Sequence, residues 1–175
     1  NAIAISINAK VQRPGVCNSM ETLLVDVAIA EEVLPQLKTA FDDAHTQLKG
    51  CERTQNSIEV APATDEDYDT EYLANILNIK VVDGVVGAID HIVRFGSGHS
   101  ESIITENITT AEAFLNGIDA AAVYVNASTR FTDGGAFGFG AEVGISTNKL
   151  HARGPMGIEG LTTYKFKIYG SGQIR

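Results

Sequence analysis

Cys17 is the residue of this sequence that is best placed to act as a nucleophile. It follows Arg13-Pro14-Gly15-Val16, and the spacing of Asn18 and Glu21 is that of a capping box at the start of a short helix. A helix N-terminus stabilises a thiolate and so lowers the thiol pKa. On this spacing alone, a buried and inert thiol is the favoured interpretation of Cys17, and a reactive thiolate is the alternative. We expect Cys51, at the end of a predicted helix, to be a free surface thiol.

Other common binding motifs do not occur. The sequence has neither the Gly-Lys-Ser/Thr of a phosphate-binding loop nor a correctly spaced glycine triplet for a dinucleotide. The four histidines are scattered and neither cysteine has a Cys-x-x-Cys partner, so we expect no metal site. The acidic run 65–69 imitates a calcium loop, but Thr70 stands where the turn glycine belongs and Ile76 where the bidentate glutamate belongs. We therefore interpret it as a solvated acidic loop.

Composition excludes several partners. The chain has 175 residues and a net charge of -9, with 22 acidic against 13 basic residues, which argues against nucleic acid as a ligand. Its apolar runs are far shorter than the roughly 20 residues of a membrane helix. Two cysteines cannot form a disulfide framework, so a reducing, cytoplasmic setting is expected. Because the sequence does not begin with Met, we expect a piece of a longer protein.

Stretches typical of strands alternate with stretches typical of helices. This alternation predicts an α/β fold with an open, mostly parallel, twisted sheet and flanking helices. The predicted strands are 22–25, 58–60, 79–82, 102–105 and 121–125.

The predicted helices are defined by their apolar faces and by their capping residues. The first begins at Pro35, has Leu34, Leu37, Phe41 and Leu48 on its apolar face and ends at Gly50. The second begins at Asp83 and has Val86, Ile89 and Val93 on its apolar face. The third is capped by Thr109 or Thr110 and has Phe114 and Leu115 as its core side chains. Beyond Asn126 we predict a glycine-rich irregular loop over 134–144. A late strand from Thr162 to Tyr169 is then expected within an arm that leaves the main sheet.

Four blocks of the chain carry a family resemblance. They are residues 8–18, a spaced signature from Val82 to Ile103 that includes His91 and His99-Ser100-Glu101, residues 126–142, and residues 150–157 with the ending 172–175. In this order they closely resemble gamma-glutamyl phosphate reductases, a family of the aldehyde dehydrogenase superfamily. Phe95, Asp26 and Ala136 depart from the residues usual there.

The resemblance implies a domain organisation. Residues 1–148 would form the catalytic domain of aldehyde-dehydrogenase type, and 149–175 an arm that contributes a strand to a homo-oligomer. The N-terminal domain that holds most of the NADPH in this family would be absent from the chain, which would explain the missing glycine-rich cradle.

The resemblance also implies a reaction. Cys17 would attack gamma-glutamyl phosphate, and NADPH would reduce the resulting thioester to glutamate 5-semialdehyde in proline biosynthesis. Glutamate 5-kinase would be the pathway partner. A non-catalytic dimerising fragment, a related enzyme with another substrate, and the same domain of a bifunctional pyrroline-5-carboxylate synthetase are the alternatives.

Site residues follow from the same resemblance. The residues implied to bind substrate are Asn18, Ser128, Thr129 and Arg130, and those implied to contact the cofactor are Glu71 and His99. Arg130 would pair with the α-carboxylate of the substrate. For Glu71 a charge at the end of an acidic loop, for His99 a structural histidine and for Arg130 a surface salt bridge remain as alternatives.

Overall fold

Short sheets and flanking helices make up the fold of the chain, whose computed structural model describes residues 1–140, 143–145, 148–149 and 153–175. The helices are α1 Ala2–Val11, α2 Ala30–Asp43, α3 Glu52–Gln55, α4 Asp65–Tyr68, α5 Gly84–Phe95, α6 Ile108–Gly117, α7 Gly134–Phe137 and α8 Ile158–Leu161. The strands are β1 Thr22–Asp26, β2 Gln47–Gly50, β3 Ala61–Pro62, β4 Ile76–Val82, β5 Ser100–Ile103, β6 Ala122–Val125, β7 Val143–Ile145 and β8 Gly154–Met156. Parts of two resemblance blocks, at 141–142 and 150–152, lie outside the described residues.

The main core lies between α2 and one face of the larger sheet. Alternate residues of β4 point to that face, and Leu77, Ile79 and Val81 are buried there against Leu34 and Phe41 of α2. Burying each such side chain contributes about 1.5–3 kcal/mol. The apolar face predicted for Leu34, Leu37 and Phe41 is therefore confirmed.

The α/β prediction is confirmed, but the described strands form separate sheets. One sheet has the order β1-β4-β2-β3 with parallel neighbours, and β5 and β6 form a second parallel pair. β7 and β8 pair antiparallel. Residues of β1 and of β5 both line a cleft, which therefore lies between the two parallel sheets.

Several predicted boundaries are wrong. α2 begins at Ala30, so Pro35 lies inside the helix rather than at its first position. Glu31 and Glu32 in the first turn complement the helix dipole and favour this earlier start. Leu48 and Gly50 belong to β2 rather than to a helix. Gly50 serves close packing, because a Cβ there would lie 2.7 Å from Thr54 Cγ2.

Local contacts override other predictions from the apolar pattern. Residues 58–60 are not a strand, and β3 follows at Ala61–Pro62. The helix after Asp83 is confirmed as α5, but Val86 and Val93 are exposed whereas His91 is buried. Asn107 rather than Thr109 or Thr110 caps α6, since its side chain accepts a hydrogen bond from the backbone N–H of Thr110.

The end of the chain is extended and exposed. Among the described residues, 162–175 contain no helix and no strand, so the predicted strand from Thr162 to Tyr169 is not formed here. Tyr164, Phe166 and Ile168 are each at least 81% exposed. A strand needs a hydrogen-bonding neighbour, and none of the described segments offers one to the arm.

Candidate active site

Cys17 lies on a loop whose two ends are joined by two hydrogen bonds. The N–H of Met20 donates to the carbonyl of Ala9 (3.0 Å), and Lys10 Nζ donates to Glu21 Oε2 (2.8 Å). The short helix predicted after Cys17 is wrong, because the helix of this region is α1, which ends before the loop. Glu21 pairs with the buried Lys10 instead of completing a capping box. Cys17 itself is exposed and faces the cleft.

The loop after β6 is hydrogen-bonded to Asn18, the residue that follows Cys17. Asn18 is buried, and its Nδ2 donates to the carbonyl of Thr132 (2.5 Å) while its own carbonyl accepts from Thr129 Oγ1 (2.7 Å). Arg130 Nη1 donates to Asn18 Oδ1, and Arg130 Nε donates to Gln12 Oε1 (3.1 Å). The structure therefore brings Asn18, Thr129 and Arg130 together.

Ser128 has a local role in this loop. Its hydroxyl accepts from the N–H of Arg130 (3.2 Å) and so begins the 3-10 turn of residues 129–131. Ser128 and Thr129 are both buried and line the cleft. Three of the four residues expected to bind substrate, Asn18, Ser128 and Thr129, thus line the cleft with Cys17, and Arg130 is bonded to Asn18.

His99 is buried in a chain of hydroxyl groups. Its Nδ1 lies 2.8 Å from Ser100 Oγ, and Ser100 Oγ donates to Thr132 Oγ1 (2.7 Å), which also contacts the hydroxyl of Tyr124 (2.8 Å). Burial lowers the pKa of His99, and the negative charge of Glu71 partly opposes this effect. We conclude that His99 is neutral at pH 7.

Gly144 on β7 packs closely against the ring of His99 and lies near Cys17. A Cβ at this position would lie 2.9 Å from His99 Nε2 and 3.8 Å from Cys17 Sγ. A side chain at position 144 would therefore clash with the imidazole of His99, so only glycine fits between this ring and the backbone of β7. The glycines of the sequence predicted an irregular loop over 134–144 and gave no indication of this contact.

Glu71 completes the set of residues predicted from the sequence. It is exposed, lines the same cleft as Cys17, and lies close enough to His99 and Glu21 for its charge to raise the pKa of both groups. The cleft has a volume of about 680 Å³. Cys17, Asn18, Ser128, Thr129 and Glu71 all line it.

Two titratable residues that line the cleft, Glu101 and His91, were not among the site residues predicted from the sequence. Burial raises the pKa of Glu101 to about 7, so that this carboxyl group changes charge near neutral pH. Burial and the charge of Lys80 lower the pKa of His91 to about 4. Both residues belong to the spaced signature, but sequence spacing does not reveal burial, which is the cause of both shifts.

Cys51, which the sequence predicted to be a free surface thiol, is partly buried and lies beside hydrogen-bonding groups. It is half-buried at the N-terminus of α3, with Sγ 3.3 Å from Thr54 Oγ1 and 3.5 Å from the N–H of Val81. Burial raises the pKa of this thiol, but hydrogen bonds from Thr54 and Val81 outweigh burial and leave the pKa below its ordinary value.

Neither a metal centre nor a membrane span is found in the described part of the chain. Its His, Cys, Asp and Glu residues do not form any group of three or more that could hold a metal ion. The helices described there are too short or too polar to cross a bilayer.

The fold around the cysteine-bearing cleft is of aldehyde-dehydrogenase type. The structure superposes on an acetylating aldehyde dehydrogenase from Geobacillus thermoglucosidasius with a TM-score of 0.67 over 98% of this chain and 48% of the other, at 19% identity, which shows the shared fold. No protein-family profile matches the chain.

The more similar relatives share one name. Gamma-glutamyl phosphate reductases from Sulfurovum sp. (strain NBC37-1) and Sulfurimonas denitrificans are 88% and 77% identical over all 175 residues of this chain, which spans 43% of each. A crystal structure of gamma-glutamyl phosphate reductase from Thermotoga maritima has a TM-score of 0.90 at 55% identity, covering 99% of this chain and 42% of that one. The predicted resemblance is confirmed: the chain is homologous throughout to a part of gamma-glutamyl phosphate reductases.

Proposed function

We propose that this chain is the catalytic domain of an NADPH-dependent gamma-glutamyl phosphate reductase, with Cys17 as its nucleophile. The observation that carries the proposal is an exposed cysteine that lines a cleft in a chain that is 88% identical to a protein of that name. A thiol suits an acyl phosphate, because thiolate attacks readily and later leaves readily.

The proposed reaction uses Cys17 twice. Its sulfur forms a bond to the acyl carbon while the bond from that carbon to the phosphate oxygen breaks, which releases phosphate and leaves a thioester. NADPH, when bound, supplies the hydride that reduces the acyl carbon. The carbon–sulfur bond then breaks, and glutamate 5-semialdehyde is released while the sulfur leaves as thiolate.

The described residues fit one end of the cofactor only. The exposed carboxylate of Glu71 in the cleft is suited to accept hydrogen bonds from ribose hydroxyls, and His99 lies beside it. The sequence has no glycine-rich cradle for the pyrophosphate. We propose that an N-terminal domain outside this chain holds the rest of the NADPH.

Substrate recognition falls to the residues around Asn18. Arg130 is half-buried and bonded to Asn18, the residue that follows Cys17, and its planar guanidinium is suited to a carboxylate. The net charge of -9 opposes the approach of an anionic substrate, so a local cation is needed. We assign the α-carboxylate of the substrate to Arg130.

The wider setting follows from the substrate. An acyl phosphate has to be made by a kinase that phosphorylates the side-chain carboxylate of glutamate, so glutamate 5-kinase is the proposed partner. We propose a cytoplasmic homo-oligomer, assembled through an arm of residues 149–175 that extends from a catalytic domain of residues 1–148.

The proposal is tested in the complete enzyme with glutamate 5-semialdehyde, phosphate and NADP. Cys17→Ser should abolish NADP reduction while leaving NADP binding, measured by calorimetry, unchanged. Cys51→Ser is the matched control and should retain activity. An active Cys17→Ser enzyme, or a pure wild-type enzyme that does not reduce NADP with this aldehyde, would refute the assignment.

A further inference from the structure

Arg130 differs from the paired arginines of this chain in the kind of partner that it has. Its Nη1 and Nε donate to two neutral amide oxygens, Asn18 Oδ1 and Gln12 Oε1. No ion pair of Arg130 is found in the part of the chain that the structure describes. Three other arginines each form an ion pair with an aspartate: Arg53 with Asp83, Arg94 with Asp65 and Arg153 with Asp119.

The charge of Arg130 is not neutralised by these two contacts. A guanidinium stays protonated in proteins, and an amide oxygen accepts its hydrogen bond without contributing a net charge. Arg130 is half-buried, and the chain has 22 acidic residues that could have paired with it. We conclude that the amides hold the guanidinium in place and leave its positive charge available to an anionic group.

The two amides also fix which nitrogens of the guanidinium are occupied. Asn18 Nδ2 donates to the carbonyl of Thr132 (2.5 Å), so Oδ1 is the atom that faces Arg130. Gln12, at the C-terminal end of α1, accepts from Nε (3.1 Å). Among the described residues Nη2 of Arg130 has no hydrogen-bond partner, so its two N–H groups can donate to a carboxylate.

We propose that Gln12 is a specificity-determining residue, which holds Arg130 with a neutral oxygen and so keeps the guanidinium charge free for the α-carboxylate of the substrate. This inference rests on the proposed function, which assigns that carboxylate to Arg130. Gln12 is a positioning residue, because it acts through Arg130 and needs no contact with the substrate.

A purely structural role of Gln12 would be to join the end of α1 to the loop after β6. The two roles predict opposite orders for two variants of similar size. Gln12→Glu keeps an oxygen acceptor and adds a charge, so it holds Arg130 at least as firmly but neutralises it. Gln12→Met removes the acceptor and leaves the charge of Arg130 free. The proposed role makes Gln12→Glu the more damaging change, whereas a structural role makes Gln12→Met the more damaging one.

The test measures NADP reduction by the complete enzyme with glutamate 5-semialdehyde and phosphate. In Gln12→Glu we expect KM for the semialdehyde to rise about tenfold while kcat stays within about twofold, because the lost attraction acts on the bound substrate and on the transition state alike. In Gln12→Met the same KM should rise only about two- to threefold, since the charge of Arg130 remains available.

Two further measurements separate the local charge from other causes. Gln36→Glu is the matched control, because it adds the same charge at an exposed glutamine of α2, and its KM should match wild type. The melting temperature of Gln12→Glu should be no lower than that of wild type, because an exposed ion pair replaces a neutral hydrogen bond. NADP affinity, measured by calorimetry, should be the same in all of these proteins.

Failure of this inference can be told apart from failure of the proposed function. If wild type reduces NADP with the semialdehyde but KM in Gln12→Glu stays within twofold, the role of Gln12 is overturned and the proposed function stands. A larger KM in Gln12→Met than in Gln12→Glu, or an equal rise in Gln36→Glu, would also overturn it. A wild-type enzyme that does not reduce NADP with this aldehyde would overturn both proposals.

Discussion

Lys10 and Glu21 form an ion pair across the base of the loop that carries Cys17. The Nζ–Oε2 distance is 2.8 Å, and the side chain of Lys10 is fully buried. Burial nevertheless raises the pKa of Glu21, despite the opposing bond from Lys10, and Glu21 Oε1 is buried without a hydrogen-bond partner among the described residues. The carboxylate of Glu21 therefore depends on the bond from Lys10 to remain charged inside the protein.

Removing one member of this pair should be costly. We expect Lys10→Met to lower the free energy of unfolding by about 3–5 kcal/mol, because it leaves an unpaired carboxylate in a mostly buried position. Urea denaturation followed by circular dichroism measures the change. The double variant Lys10→Met/Glu21→Met should recover most of the loss, and a double variant as unstable as the single one would contradict this explanation.

The two thiols should differ in their rate of alkylation. Cys17 is exposed whereas Cys51 is half-buried, although hydrogen bonds lower the pKa of Cys51. We expect iodoacetamide at pH 7 to label Cys17 first, because access limits the reaction at Cys51. Peptide mass spectrometry after brief labelling decides the order. Prior labelling of Cys51 would show that its thiolate is accessible after all.

Arg130 holds the loop around Cys17 through two different nitrogens, which lysine cannot reproduce. Its Nη1 and Nε donate to Asn18 and Gln12. In the complete enzyme we expect Arg130→Lys to lower kcat/KM for the semialdehyde by a factor equivalent to about 1.5–3 kcal/mol, with NADP affinity unchanged. Arg94→Lys, which alters an exposed pair with Asp65, is the control. If Arg130→Lys and Arg94→Lys both leave kcat/KM within twofold of wild type, Arg130 does not bind the substrate.

His91 should make the folded state sensitive to acid. Its pKa is lowered from 6.5 to about 4 by burial, then by Lys80 and Arg94, with Asp65 opposing. The unfolded chain therefore binds more protons than the folded one between these values, so the unfolding free energy falls as pH drops through this window, by at most about 3 kcal/mol from this group. Denaturation of wild type and His91→Gln at pH 4.5 and 7.5 measures the difference, which should be smaller in the variant. Equal pH dependence in both proteins would exclude His91 as the cause.

The arm should govern assembly. Tyr164, Phe166 and Ile168 alternate along an extended, exposed segment, a pattern typical of a strand that pairs with another sheet. We expect deletion of 162–169 from the complete enzyme to convert an oligomer into monomers or aggregates, as measured by light scattering. A truncated protein with the wild-type mass would place the subunit contact elsewhere.

The sequence by itself determined the α/β class, the strands β1 and β4, the buried face of α2 and the relationship to gamma-glutamyl phosphate reductases. These features depend on short-range periodicity or on motifs in a fixed order, and both can be observed along a chain. The sequence also singled out Cys17, because the block around it resembles that family.

Only the tertiary structure decided how the candidate site is held together. Lys10 is an ordinary charged residue in the sequence, yet it is buried against Glu21, and this contact removed the helix that the spacing of Asn18 and Glu21 predicted. Gly144 similarly gains its meaning from His99 and Cys17, which lie far from it along the chain. Burial and contacts between distant residues depend on how separate elements pack, so neither local propensity nor spacing could have predicted them.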